Sequence, residues 1–438
     1  MQGSPRPQSG VALLLFLFLL FGIGTATALS ALNSSRARLE QERQTHLALQ
    51  QAKEALIAYA VSVYPAGNNR PGDLPCPDID NDGKKDSPCG NASGTTGQAL
   101  RLGRLPWKTL GLADLRDASG ERLWYAVSNN FKENNRHLSL NSDTTGTIQV
   151  VEANGVVISN VIAVVIAPGP PLQRLNASAY QDRSPGGENN PANYLDETAS
   201  EDNTNFVDGT TNGFINGTVR DAQGRILVND GMLVITYNDL MPLLEKQVAA
   251  TVMNCLSAYA AYNDGTENNL GRYPWAASMA SSAAGNYNDT ANTLFGRIPN
   301  LMCNTGGEGA AEAACSPGAA PPITGTNPGM LSNWGAIPSC TVNDAWFRDN
   351  WREQVFYAIA DAYKPGVGVP ACGSCLKVGS ANNRQVAVLV GRQALVGQDH
   401  ADKAVIGNYL EGENATPYDS TFEINATSLN FNDLLVFR

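Results

Sequence analysis

Five short segments recur in the same order along this chain, so any fold it adopts must accommodate two copies of one module. Leu56-Ile-Ala-Tyr59-Ala60 returns as Leu256-Ser-Ala-Tyr259-Ala260, and Leu123-Trp-Tyr125-Ala-Val127 as Val355-Phe-Tyr357-Ala-Ile359. Ile162-Ala-Val-Val-Ile-Ala167 is answered by Val386-Ala-Val-Leu-Val-Gly391, Asn193-Tyr-Leu-Asp-Glu197 by Asn408-Tyr-Leu-Glu-Gly412, and Asn229-Asp-Gly-Met-Leu-Val234 by Asn432-Asp-Leu-Leu-Val436. Arg104-Leu-Pro106-Trp107 and Arg272-Tyr-Pro274-Trp275 read as a further repeated element. A length of 438 residues suits two such units.

Each copy reads as a helix, a long loop, a Trp/Tyr-containing amphipathic stretch and then β segments joined by Asn/Gly-rich turns. The expected fold class is α+β: a long N-terminal helix over 11–64, then a first head module over 65–237 and a second over 238–438. The spacing predicts strands at Thr147–Val151, Val156–Ala167 and Met232–Tyr237, and in the second copy at Gln385–Val390 and Leu434–Phe437. The second helix is expected to open at the Asn238-Asp239 pair, with Pro242 in its first turn, where proline is tolerated. The Gly/Asn/Ala-rich stretch from Ala277 to Asn333 reads as an irregular surface insertion.

Charge and motifs narrow the function. The 30 Lys and Arg against 41 Asp and Glu leave a net charge of −11. That balance argues against a nucleic-acid partner, which would need a basic face. Nucleophile elbows, HExxH, phosphate loops and dinucleotide fingerprints do not occur, so no enzyme is expected. The tryptophans Trp107, Trp124, Trp334, Trp346 and Trp351 fall largely in apolar segments, where core packing explains them.

The N-terminus sets the compartment. Val11 to Leu32 carry no charge, and apolar positions from Leu39 through Leu47, Ala52, Leu56 and Ala60 continue at helical spacing. The motif Gly10-Val11-Ala12-Leu13-Leu14-Leu15, behind a short polar leader (1–10), resembles the type IV pilin and type II secretion pseudopilin superfamily. The resemblance implies cleavage after Gly10 by a prepilin peptidase, methylation at Val11, and single-pass residence in the inner membrane with periplasmic heads. It then implies assembly with other subunits into a pilus or pseudopilus, or display at the cell surface. Two departures stand out: Leu15 occupies the position of the usual Glu, and Gln8-Ser9 replace the basic residue before the Gly. Loss of that Glu resembles large minor subunits placed at filament tips. The alternative is cleavage after Ala28, in Ala26-Thr27-Ala28, which would make the chain an exported adhesin or carbohydrate-binding protein.

One loop carries chemistry. Asp78, Asp80, Asp82 and Asp86 alternate around Gly83, a pattern of hard oxygen ligands suited to Ca²⁺ that resembles the first half of an EF-hand loop, with Cys89 at the place of the usual twelfth-position Glu. Related pseudopilins hold calcium, which the resemblance extends to this loop. The eight cysteines are even in number, as expected for disulfides in an exported protein. Cys76 and Cys89 bracket the acidic loop, and Cys303 with Cys315 and Cys372 with Cys375 are the other short-range pairs.

Overall fold

The computed structural model describes residues 9–62, 70–90, 98–133, 139–175, 179–205, 213–265, 268–300, 302, 330–331, 333–367, 369–373 and 375–438, without the side chains of 9–34 and 98–99. Helix α1 is Ser9–Ser62 and helix α2 is Tyr237–Ala260. The first copy contributes β1 (Leu102–Arg104), β2 (Trp124–Val127), β3 (Ile148–Glu152), β4 (Val157–Val161), β5 (Ala163–Ala167), β6 (Phe214–Asn216), β7 (Val219–Arg220), β8 (Ile226–Val228) and β9 (Gly231–Ile235). The second contributes β10 (Phe295–Arg297), β11 (Val355–Ile359), β12 (Leu376–Val378), β13 (Ala381–Arg384), β14 (Val386–Val390), β15 (Thr421–Phe422) and β16 (Leu434–Phe437). The fold is α+β with several small, mostly antiparallel sheets.

The duplication is written in the topology. One four-stranded antiparallel sheet has the order β1-β2-β5-β9 and the other β10-β11-β14-β16. Each is accompanied by a three-stranded sheet, β4-β3-β6 and β13-β12-β15, in which one hairpin strand pairs in parallel with a distant one. Hydrogen bonds repeat as well. Gly72 N donates to Ala60 O (2.8 Å) as Gly271 N does to Ala260 O (2.9 Å). The Tyr125 hydroxyl donates to Pro75 O (3.1 Å) as Tyr357 does to Pro274 O (3.0 Å). Pro274 therefore answers Pro75, not Pro106. The true counterpart of Gly103-Arg104-Leu105-Pro106 is Gly296-Arg297-Ile298-Pro299, since Arg104 and Arg297 close equivalent edge strands opposite Trp124 and Phe356.

The continuous apolar runs are explained by burial on both faces. In β5, Ala163, Val165 and Ala167 face the helices while Val164 and Ile166 join an outer cluster with Trp124 and Tyr194. In β14, Val386, Val388 and Val390 face inward while Ala387 and Leu389 join Phe295, Phe356 and Tyr409. This is the period-two alternation of a strand with apolar neighbours on each side. Val156–Ala167, expected as one strand, is split into β4 and β5, which belong to different sheets.

The helices lie between the two large sheets. α1 packs on β5 and β9, α2 packs on β14 and β16, and the helices pack on each other. Ala48, Ala52, Leu56 and Ala60 form the buried i, i+4 row of α1, set against Leu244, Val248, Val252 and Leu256 of α2 within one hydrophobic core common to both copies. Lys53 ion-pairs with Asp239 at 2.8 Å across the helix pair. Polar contacts also join the copies: Asp143 Oδ2 lies 2.6 Å from His400 Nδ1, and Asn350 Oδ1 accepts from Leu140 N at 2.8 Å.

Three expectations are corrected. The cap of α2 is Thr236, whose N–H and hydroxyl both donate to Asp239 Oδ2 at 2.8 Å, so Asn238 and Asp239 lie within the first turn. The stretch from Ala277 to Asn333 is not only an insertion, because it supplies strand β10 to the second large sheet. Inner-membrane, single-pass localisation is overturned: among the described residues no helix is long and apolar enough to cross a membrane. The side chains of Val11 and of the apolar run through Leu32 lie outside the described residues, and of Gly10 only the helical backbone is described.

Candidate metal centre

The acidic loop hangs from the edge of the first large sheet. Asp78 N donates to Arg104 O (2.9 Å) and Arg104 N to Asp78 O (2.7 Å), which fixes where the loop begins. The Cys76–Cys89 disulfide closes its base, and both cysteines are fully buried. Arg122 holds the tip, donating to Asn81 Oδ1 at 2.7 Å and Asn81 O at 3.1 Å. Asn81 is left-handed (φ 66°), a conformation Asn tolerates. Gly83 follows at φ 88°, and a Cβ there would sit 2.8 Å from the Trp107 indole, so glycine is required on both counts.

Ligand-bearing oxygens of Asp78, Asp80 and Asp86 lie within 4.8 Å of one another. Asp82, the fourth expected ligand, is not in that group; its Oδ1 accepts from Lys84 N at 2.6 Å. Asp78 is buried, and its oxygens accept from Gly83 N (2.7 Å) and Asp82 N (3.2 Å). Asp86 Oδ2 accepts from Ile79 N at 2.6 Å and Asp80 N at 3.2 Å. Burial pushes the Asp78 carboxyl up to about 6; the Gly83 and Asn81 amides oppose that, and the charges of Asp80 and Asp82 add to it. A buried carboxylate crowded by like charges is relieved by a hard divalent cation, and an all-oxygen set of this kind fits Ca²⁺ better than a thiol- or imidazole-loving metal. Lys85 turns away from the carboxylates and bonds Glu133 and the Tyr59 hydroxyl (3.0 Å), tying the loop to α1.

The other singled-out residues have structural roles. Cys372 pairs with Cys375 on the surface. Cys303 and Cys315 lie outside the described residues. A bridge that sequence spacing did not suggest, Cys255–Cys340, ties α2 to the loop before β11 across 85 residues. Trp124, Trp334 and Trp351 are buried in the cores.

A second acidic feature was hidden inside the repeated segments. In the first copy Asp230 Oδ2 accepts from Asp196 N (2.8 Å) and Asn203 Nδ2 (2.7 Å), while Asp196 Oδ2 accepts from Asn229 N (2.8 Å). In the second, Asp433 Oδ2 accepts from Glu411 N (3.0 Å) and Asn414 Nδ2 (2.9 Å), while Glu411 Oε2 accepts from Asn432 N (2.9 Å). Each pair therefore staples the strand entry at Asp230 or Asp433 to the turn after the Asn-Tyr-Leu segment. Burial, then the neighbouring carboxylate, raises Asp230 well above the ordinary range and Asp433 to about 8. The repeated Asn-Asp and Tyr-Leu-Asp/Glu strings were the available signal, although nothing in them showed that they meet. Compared with known proteins, the chain matches no family model, no curated protein and no solved structure.

Proposed function

We propose that the chain is a structural, non-catalytic minor subunit of a filament of the type IV pilus or type II secretion kind. It joins other subunits through α1, and Ca²⁺ bound by Asp78, Asp80 and Asp86 stiffens the first copy. The observation that carries this reading is the shape of α1. From Ala48 onward the helix is built into the core, whereas residues 35–44 are exposed on every side, with Leu39 64% exposed. A helical segment whose side chains stay out of the core gains little stability from its own hydrogen bonds, so a partner surface that would cover Leu39 is the natural reason to extend it. The Gly10-Val11 motif agrees, and so does a scaffold rigidified by disulfides and a shared core. Intact mass and N-terminal sequencing of the native protein test the reading. A chain that begins at methylated Val11 supports it, and one that begins at Leu29 overturns it in favour of an exported binding protein.

A further inference from the structure

The outer edges of the two large sheets are β1, β9, β10 and β16, and all but the last are covered. At β1, Asp78 and Arg104 exchange both backbone hydrogen bonds, and at β10 Ala277 and Arg297 do the same, each at 2.9 Å. At β9, Met232 N donates to Asn216 Oδ1 (2.7 Å) and Asp230 O accepts from Gly217 N (2.8 Å). β16 has no such cover. Arg438 N donates to Val386 O at 3.0 Å, so by the alternation of an antiparallel ladder Val436 and Leu434 also turn their backbone groups toward β14. Leu435 and Phe437 turn theirs outward, and among the described residues these N–H and C=O groups have no hydrogen-bond partner.

The first copy shows what the second has lost. Asn203 brackets Ile215, accepting from its N (2.7 Å) and donating to its O (2.9 Å), as Asn414 brackets Glu423 (3.0 and 3.3 Å). The next residue is therefore Asn216 in one copy and Ile424 in the other. The amide that caps β9 is replaced by an aliphatic side chain that is 55% exposed, and Leu429, in the turn leading to β16, is 90% exposed. No lysine, proline or bulge interrupts Leu434–Phe437, although these devices ordinarily keep an edge strand from pairing with another chain.

Charge is graded along this edge. Glu413, Asp419 and Glu423 gather near its N-terminal end, where Glu413 N donates to Glu423 Oε1 (2.8 Å) and Asn414 Nδ2 to Asp433 Oδ2 (2.9 Å). At the other end stand the exposed Arg438 and Arg384, whose guanidinium lies 4.8 Å from the Phe437 ring centroid. An antiparallel strand of the same sequence sets each basic end against an acidic one, whereas a parallel strand sets like against like.

We infer that β16 is the docking edge for a second copy of this chain, paired antiparallel about a two-fold axis at Val436. Leu435 of each copy exchanges backbone hydrogen bonds with Phe437 of the other, and the two four-stranded sheets merge into one. Leu435 then meets Phe437 on the outer face and Val436 meets its own counterpart on the helix face, apolar cross-strand pairs that stabilise sheets. This pairing is independent of the filament role.

The test is disulfide trapping with diamide on the full chain, with sedimentation velocity alongside. The dimer forms with a Kd on the order of 10 μM. Facing residues of a non-hydrogen-bonded pair have Cα atoms about 4.5 Å apart, within disulfide reach, so Val436→Cys gives a covalent dimer. The parent gives none through its described cysteines, which are all paired. Leu434→Cys, away from the axis, is trapped about tenfold less. Leu435→Pro deletes an outward N–H while keeping the bonds to β14, and abolishes the dimer. Arg438→Glu reverses the basic end and weakens it about tenfold; its side chain is exposed, so it stays informative if proline disturbs the strand. Assembly through α1 does not bring the two Val436 side chains together, so the readout stands whether or not the filament reading does. A folded Val436→Cys chain that is not trapped, Leu434→Cys trapped as readily, or trapping of Val436→Cys unchanged by Arg438→Glu each overturns the assignment.

Discussion

The two copies share their scaffold and differ in what they hang on it. Strand order, the helix-end contacts of Gly72 and Gly271, and the Tyr125 and Tyr357 hydroxyl bonds coincide. Yet Asp78, which opens the acidic loop, has its counterpart in Ala277, since these residues make the same bridge to Arg104 and Arg297. Where the first copy goes on with three further aspartates, the second turns into a short helix, Met279–Ala283, that covers Arg297. A duplicated fold thus keeps one copy open there, with an acidic loop, and closes the other by packing. The lesson is that scaffold contacts involving backbone and buried apolar groups persist, while the positions released from them diverge.

If the copies are one cooperative body, damage to either should unfold both. Leu56→Ala and Leu256→Ala remove equivalent, fully buried side chains from the helix pair. Each is expected to cost about 2–5 kcal/mol, and each should lower a single melting transition by a similar amount. Calorimetry decides this: two separated transitions, or a shift confined to one of them, would break the shared-core account.

How far the fold could be read from the chain depended on which forces left a local mark. β5 and β14 were legible because burial on both faces demands uninterrupted Val, Ile and Leu, and α2 because its apolar stripe recurs with helical period. β10 was not, because three residues centred on Gly296 carry no period, and its place is set by pairing with β11. The Cys255–Cys340 bridge and the Asp230 and Asp433 staples join residues far apart in the chain, so only the folded backbone brings them together. At the acidic loop the residue types and the Gly83 turn were legible, while the exclusion of Asp82 depends on which way one side chain turns. The mispairing of Arg104 with Arg272 came from the same cause: a Pro-Trp string looked like a repeat, whereas the real one, Gly-Arg-Leu-Pro against Gly-Arg-Ile-Pro, is marked by the strands it closes.

The buried acid pairs are the sharpest test of what persists, because both copies retain them. A carboxyl whose folded pKa is raised binds protons more tightly folded than unfolded. Its stabilising share is fully present below the unfolded value near 4 and is lost as pH rises towards the folded one. For Asp433 that window runs from about 4 to about 8. Asp433→Asn keeps an oxygen for the Glu411 and Asn414 donors and removes the charge, so it should flatten the fall in stability across that window. At pH 8 it should exceed the parent by on the order of 2 kcal/mol. Asp230→Asn should act with the same sign. Denaturant titrations from pH 4 to 8 measure both, and opposite signs would mean that the two staples are not equivalent.

The smallest expected effect separates the copies again. With Asp78 raised to about 6, the calcium-free protein should lose stability as pH climbs from about 4 to 6, because the folded loop resists ionising a carboxyl that the unfolded chain ionises freely. A bound cation favours the ionised loop, so adding Ca²⁺ should stabilise the protein above pH 6 and hardly at all at pH 4. At a tenfold excess over Kd the gain is about 1.4 kcal/mol, read as a shift of the single melting transition. Asp78→Asn should remove the Ca²⁺ response and the fall in stability between pH 4 and 6, at the cost of one of the two loop-amide hydrogen bonds that the Asp78 oxygens accept. Asp82→Asn should keep the response, since Asp82 stands outside the oxygen cluster. A Ca²⁺ shift that survives in Asp78→Asn would place the ion elsewhere than in the acidic loop.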